Sequence, residues 1–142
     1  MPTAGYTAAP EPWSPVAENA DPYNVAHQGG RDGSLLELYR SLIRLRKERP
    51  ELRHGDYAFF DVGTGVLAFR RAHVGQSVLV LMNVSEAPRA VDGQPFSGKY
   101  TDLLSGNVVS VADRFTMAPG AFSVLAPVSG TQCSSPDPRD ER

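Results

Sequence analysis

The run Ser77-Val78-Leu79-Val80-Leu81-Met82-Asn83 places five consecutive apolar side chains between two polar ends. Successive side chains of a strand point to opposite faces. Leu79 and Leu81 therefore share one face, and Val78, Val80 and Met82 share the other. A strand that is apolar on both faces belongs in the middle of a sheet with material packed above and below it.

Working outward, the neighbouring segments carry the same short period. Tyr57 to Asp61 and Val66 to Arg71 read as two strands around Val62-Gly63-Thr64-Gly65, a hairpin signal. Arg89 to Val91 is a shorter strand before the turn at Asp92-Gly93. Tyr100 to Leu104, Val108 to Val111, Arg114 to Met117 and Phe122 to Ala126 complete the set. The breaks at Ser105-Gly106-Asn107, Ala112-Asp113 and Pro119-Gly120 have turn chemistry. Short strands at regular spacing with no helix between them predict a mainly β chain, an antiparallel β-sandwich over residues 56–127. The aromatic residues Tyr57, Phe59, Phe60, Phe69, Tyr100, Phe115 and Phe122 are mostly read as alternating core positions.

Upstream, residues 34–49 form an amphipathic helix. Leu35, Leu38, Tyr39, Leu42 and Leu45 recur at helical spacing, and Leu36 and Ile43 widen the stripe. Ser34 and Glu37 match a capping box, and Pro50 ends the helix at Arg49. Arg46 projects into the apolar arc, where it either snorkels at the helix end or pairs with a carboxylate. Residues 1–33 read as irregular, rich in Pro and Gly, yet they carry Tyr6, Trp13, Val16, Tyr23 and Val25. So many large apolar groups are unusual in a linker and imply a surface that buries them. Residues 128–142 are polar and are expected to be disordered.

The chain has 142 residues and a formal net charge of -2, with no large basic patch. Neither nucleic acid nor an anionic membrane is an expected partner. Arg44, Arg46, Lys47 and Arg49 sit beside Glu48 and Glu51 and read as a solvated helix face. Cys133 is the single cysteine, so no intramolecular disulfide is expected and a reducing, cytoplasmic setting fits. The first residues lack the pattern of a signal peptide, and no apolar run reaches the roughly 20 residues of a membrane span. His27, His54 and His73 lie far apart in sequence, so no metal site and no cofactor are expected. Asp56, Asp61, Asp92, Asp102 and Asp113 sit at strand ends or turns, where Asp serves local hydrogen bonding. None is framed by the apolar groups that raise a carboxyl pKa for acid catalysis. Asn83-Val84-Ser85 fits a glycosylation sequon and reads as a strand end and turn.

An ordered set of short motifs resembles glycoside hydrolase family 13, in the α-glucosidase, oligo-1,6-glucosidase and trehalose synthase branch. The set begins with Ala4-Gly5-Tyr6-Thr7, Pro12-Trp13-Ser14-Pro15-Val16 and Asn24-Val25-Ala26. It continues through Ser34-Leu35-Leu36, Leu42-Ile43, Leu45-Arg46 and Pro50-Glu51-Leu52 to Gly55. Val66 to Arg71, Val78 to Asn83 and Asp102-Leu103-Leu104-Ser105-Gly106 close it. The resemblance implies the end of a (β/α)₈ barrel over residues 1–33, the last barrel helix over 34–49, and the family's C-terminal β-domain over 56–127. The family's catalytic carboxylates lie upstream of the matched segment, so no catalytic residue is carried over. A barrel takes about 250 residues, and one such helix is all this chain has room for.

The resemblance therefore implies a non-catalytic accessory domain of an α-glucoside-processing enzyme, not an enzyme by itself. A free-standing carbohydrate-binding module is the alternative. Trp13, in the loop that resembles the rim of the barrel mouth, is the one candidate for sugar contact, with simple packing as its competing reading. Expected partners are a separately encoded catalytic barrel, or a second copy through the apolar helix face, with α-glucan or α-glucoside contact.

Overall fold

The computed structural model describes residues 13–15 and 20–128. The chain divides into two units, Met1–Arg44 and Leu45–Arg142. Tyr6, Val16, Cys133 and residues 129–142 of the expected tail lie outside the described residues; Val128, the first residue of that tail, donates its N–H to the Lys99 carbonyl at 3.0 Å.

In the first unit, part of the segment expected to be irregular is helical. Ala20–Tyr23 (α1) and Val25–Gln28 (α2) are single turns. Asn24 explains the second, because its side chain accepts the His27 N–H at 2.8 Å and caps the turn. The amphipathic helix is Leu35–Glu48 (α3). Its capping box is only half made. The Ser34 hydroxyl accepts the Glu37 N–H at 3.3 Å, but the Glu37 carboxylate accepts the Gly30 N–H at 2.8 Å instead of returning to Ser34. Gly30 has a φ of 71°, which turns its N–H toward that carboxylate. The apolar arc of α3 is partly open: Leu45 is buried and Leu36, Leu38 and Leu42 are half-buried. Leu35, Tyr39 and Ile43 are 58%, 59% and 52% exposed.

In the second unit, Pro50 does more than stop a helix. It occupies the first turn of Pro50–His54 (α4), a short helix the sequence reading did not foresee. Proline suits that position because its missing N–H would be unpaired there anyway.

The β-domain follows the expected strands closely: Asp56–Phe60 (β1), Val66–His73 (β2), Gln76–Asn83 (β3), Arg89–Asp92 (β4), Gly98–Asp102 (β5), Val108–Val111 (β6), Arg114–Met117 (β7) and Phe122–Pro127 (β8). All pairings are antiparallel. Six strands form one sheet in the order β1-β2-β3-β8-β5-β6, and β4 pairs with β7 in a second. β2 and β3 are joined by Val74-Gly75, with φ of 46° and 73°. Positive φ at both central residues is the signature of the type I′ turn, whose twist matches that of the strands.

β3 is central and covered on both faces, as its composition demands. Leu79 and Leu81 join Phe60, Ala68, Val91, Phe96, Tyr100, Met117 and Leu125 in the core between the sheets. On the opposite face Val78 packs with Leu45 and Val124, bordered by Val80, Leu52 and Leu104. The inner core has two polar fasteners. The Tyr100 hydroxyl donates to the Phe96 carbonyl at 2.7 Å. The Asn83 amide, 1% exposed, donates to the Ala87, Met117 and Ala118 carbonyls at 2.9–3.1 Å. Gly93 is fixed by crowding, since a Cβ there would lie 2.2 Å from the Ala112 carbonyl oxygen.

The expectation for the aromatic residues needs a correction. Phe60 and Tyr100 are buried, but Tyr57 and Phe59 are 58% and 60% exposed. They stand on the face of β1 opposite Phe60, on an edge strand.

Candidate functional site

The chemistry-bearing side chains of the second unit gather where α4 meets β2. Gly55 ends α4, and the Leu52 and Gly55 carbonyls point away from the helix without helical partners. Arg71, on β2, answers them. Its Nε and Nη2 donate to the Gly55 carbonyl at 3.2 and 2.7 Å, and its Nη1 donates to the Leu52 carbonyl. Arg46 also donates to the Leu52 carbonyl. The expected choice for Arg46 between snorkelling and a carboxylate partner thus resolves as a backbone cap. The Arg71 guanidinium also lies 4.3 Å from the centre of the Tyr57 ring, a cation–π contact.

Glu51 is fully buried in the same region, and its carboxylate meets Arg49 Nε at 2.7 Å. That pair is held by charge at short range, with a geometry outside that of a hydrogen bond. His54 and His73, distant in sequence, come together with ring centres 5.8 Å apart. Beside them Tyr57 and Phe59 lie nearly parallel at 8°, 6.0 Å apart, with Phe69 at 5.7 Å from each. Sequence reading missed this cluster. The signal was present in Arg71, which falls on the same face as Tyr57 and Phe69 and is charged where alternation asks for an apolar group.

The carboxylates do local work. Asp61 accepts the Gly63 N–H at 3.3 Å, and Asp92 accepts the Gln94 N–H at 3.1 Å. Asp102 accepts the Leu104 N–H and the Ser105 hydroxyl, both at 3.0 Å. Asp56 and Asp113 are exposed, at the start of β1 and in the turn before β7. No group of three metal-ligating side chains occurs among the described residues. No described helix is long and apolar enough to cross a membrane.

In the first unit Trp13 is fully exposed. Tyr23, Val25, Leu35, Leu36 and Tyr39 line a shallow apolar hollow with Gln28 at its side. Gln28 is held there by its amide oxygen, which accepts the Leu36 N–H at 3.0 Å. The Gly30 N–H lowers the Glu37 carboxyl below its ordinary pKa, and Arg40, 2.6 Å away, adds to the effect.

No protein-family model matches the chain. It is 32% identical over 122 residues to a glucan 1,6-α-glucosidase of Streptococcus dysgalactiae subsp. equisimilis, a match covering 85% of this chain and 22% of that protein. It is 34% identical over 86 residues to a probable α-glucosidase of Rhizobium meliloti, covering 61% of this chain and 15% of that one. Its fold matches the trehalulose synthase MutB from Pseudomonas mesoacidophila MX-45 with a TM-score of 0.66 and 26% identity, over 82% of this chain and 22% of the other. The chain is a glycoside hydrolase family 13 α-glucosidase-like segment. It spans 15% and 22% of the length of the two curated relatives named above. Along the family 13 segment, α3 is followed by α4 and then by β1 to β8.

Proposed function

We propose that this family 13 segment serves as a non-catalytic accessory domain of an α-glucosidase-type enzyme. The catalytic barrel comes from elsewhere, either a longer protein of which this is a piece or a separately encoded chain. The observation that supports the reading is the exposed part of the apolar arc of α3. Leu35, Tyr39 and Ile43 are all more than half exposed on a helix whose spacing is built for burial. Burying one such side chain is worth roughly 1.5–3 kcal/mol, and contiguous apolar patches of this kind mark interfaces. A cytoplasmic setting accompanies the proposal, in keeping with the single cysteine. The test is to mix the purified chain with the product of the neighbouring gene. Complex formation and a rise in α-glucosidase activity are expected. No complex, together with full activity of that product alone, would overturn the reading.

A second reading, a carbohydrate-binding module, draws on Trp13, whose indole is open to stack on a sugar ring. Titration with dextran or maltodextrin, followed by Trp13 fluorescence, separates the two. A saturable shift, together with calorimetrically measured binding that is lost in Trp13→Ala, supports the module.

A further inference from the structure

From the edge of the larger sheet we infer that a second copy of this chain pairs with β1, antiparallel and centred on Ala58. β1 and β6 are the two edges of that sheet. An open edge presents unpaired backbone N–H and C=O groups, which another strand satisfies. Natural edges are commonly guarded by Lys, Pro or several charges. β1 carries neither Lys nor Pro, and Asp56 at its first position is its one charged residue.

The side chains choose between the two edges. In a two-fold antiparallel pair, residues directly opposite must point to the same face of the joined sheet. Side chains alternate along a strand, so the axis has to pass through a residue and not between two. β1 has five residues, and an axis at Ala58 lets the whole strand overlap with every face preserved. Tyr57 then lies opposite Phe59 of the second copy, and Phe59 opposite its Tyr57. Both are the exposed rings of the outer face. β6 has four residues, so full overlap would set core-facing Val109 against solvent-facing Ser110. Aromatic pairs directly across an antiparallel ladder are favourable, and the β1 register makes two of them at once. The rings are already held in place, by Phe69 from β2 and by the Arg71 guanidinium against Tyr57. Pairing therefore costs little additional side-chain ordering. The product is a continuous sheet across both copies, which removes one exposed edge from each.

The test uses the whole 142-residue chain. Sedimentation equilibrium should give a monomer–dimer equilibrium. Phe59→Lys should weaken it roughly tenfold or more, since one substitution removes both ring pairs and sets a charge on the edge. The position is 60% exposed, so Lys is accommodated, and Tyr57→Lys gives an independent variant. Register is read by oxidation in a Cys133→Ser background. Ala58→Cys should cross-link with itself, because directly opposite residues lie within disulfide range. Tyr57→Cys and Phe59→Cys should cross-link only when mixed. A chain that stays monomeric up to about 1 mM, or a dimer that keeps its affinity in both Lys variants, overturns the proposal. So does an Ala58→Cys variant that dimerises without cross-linking.

Discussion

Replacing Arg71 with Met tests whether the junction between α4 and the sheet is held by one guanidinium. The Met side chain keeps most of the apolar stem and removes every donor. The Gly55 carbonyl loses both of its bonds, at 3.2 and 2.7 Å, while the Leu52 carbonyl retains Arg46. Orphaning one buried carbonyl costs about 1–3 kcal/mol, and the lost contact with the Tyr57 ring adds about 0.5–1 kcal/mol. Lost charge-assisted bonding raises the total, and relief from keeping a guanidinium buried lowers it. The expected loss is about 3 kcal/mol. In a domain of this size that corresponds to a fall in Tm of roughly 12–24 °C. Thermal and urea unfolding followed by circular dichroism read it directly, with exposed Arg53→Met as the control that should stay within about 0.5 kcal/mol. An Arg71→Met protein as stable as the control would mean the junction is held by its apolar contacts alone.

Two other consequences follow from the same structure. Leu81 is 2% exposed in the inner core, so Leu81→Ala should cost about 2–5 kcal/mol in urea unfolding; an unchanged midpoint would contradict the central place of β3. The Glu37 carboxyl is held below its ordinary pKa by the Gly30 N–H and then by Arg40. Its contribution to the start of α3 is thus full above the ordinary carboxylate range and lost as pH falls through the lowered value. Hydrogen-exchange protection in the first turn of α3 should fall over that acidic window in the parent chain, and protection in Glu37→Gln should show no such pH dependence.

What the sequence made legible was local. β3 could be placed because an apolar run of that length must be covered twice. The limits of β6 and β7 emerged intact because turn residues bracket both. Strand order did not, since pairing β3 with β8 and β8 with β5 depends on contacts far apart in the chain. Tyr57 and Phe59 were misread as core because alternation tells which residues share a face, not whether anything covers that face. Pro50 was read as a helix stop, although the same missing N–H suits the first turn of α4. Arg71 showed in the sequence only as a charge on an otherwise apolar face, because its partners are backbone carbonyls 16 and 19 residues away. Glu51 has its partner Arg49 two residues away, and only its burial depends on the fold. The meeting of His54 with His73 has the same origin in the β1–β2 hairpin.

The accessory reading stands or falls on turnover. Maltose, isomaltose, sucrose and an aryl α-glucoside should be assayed with the purified chain alone, at enzyme concentrations high enough to detect a very slow hydrolase. Glucose release is expected at the level of buffer. Hydrolysis above background that is abolished by substituting one of Asp56, Asp61 or Asp102, and survives substitution of the other two, would contradict it.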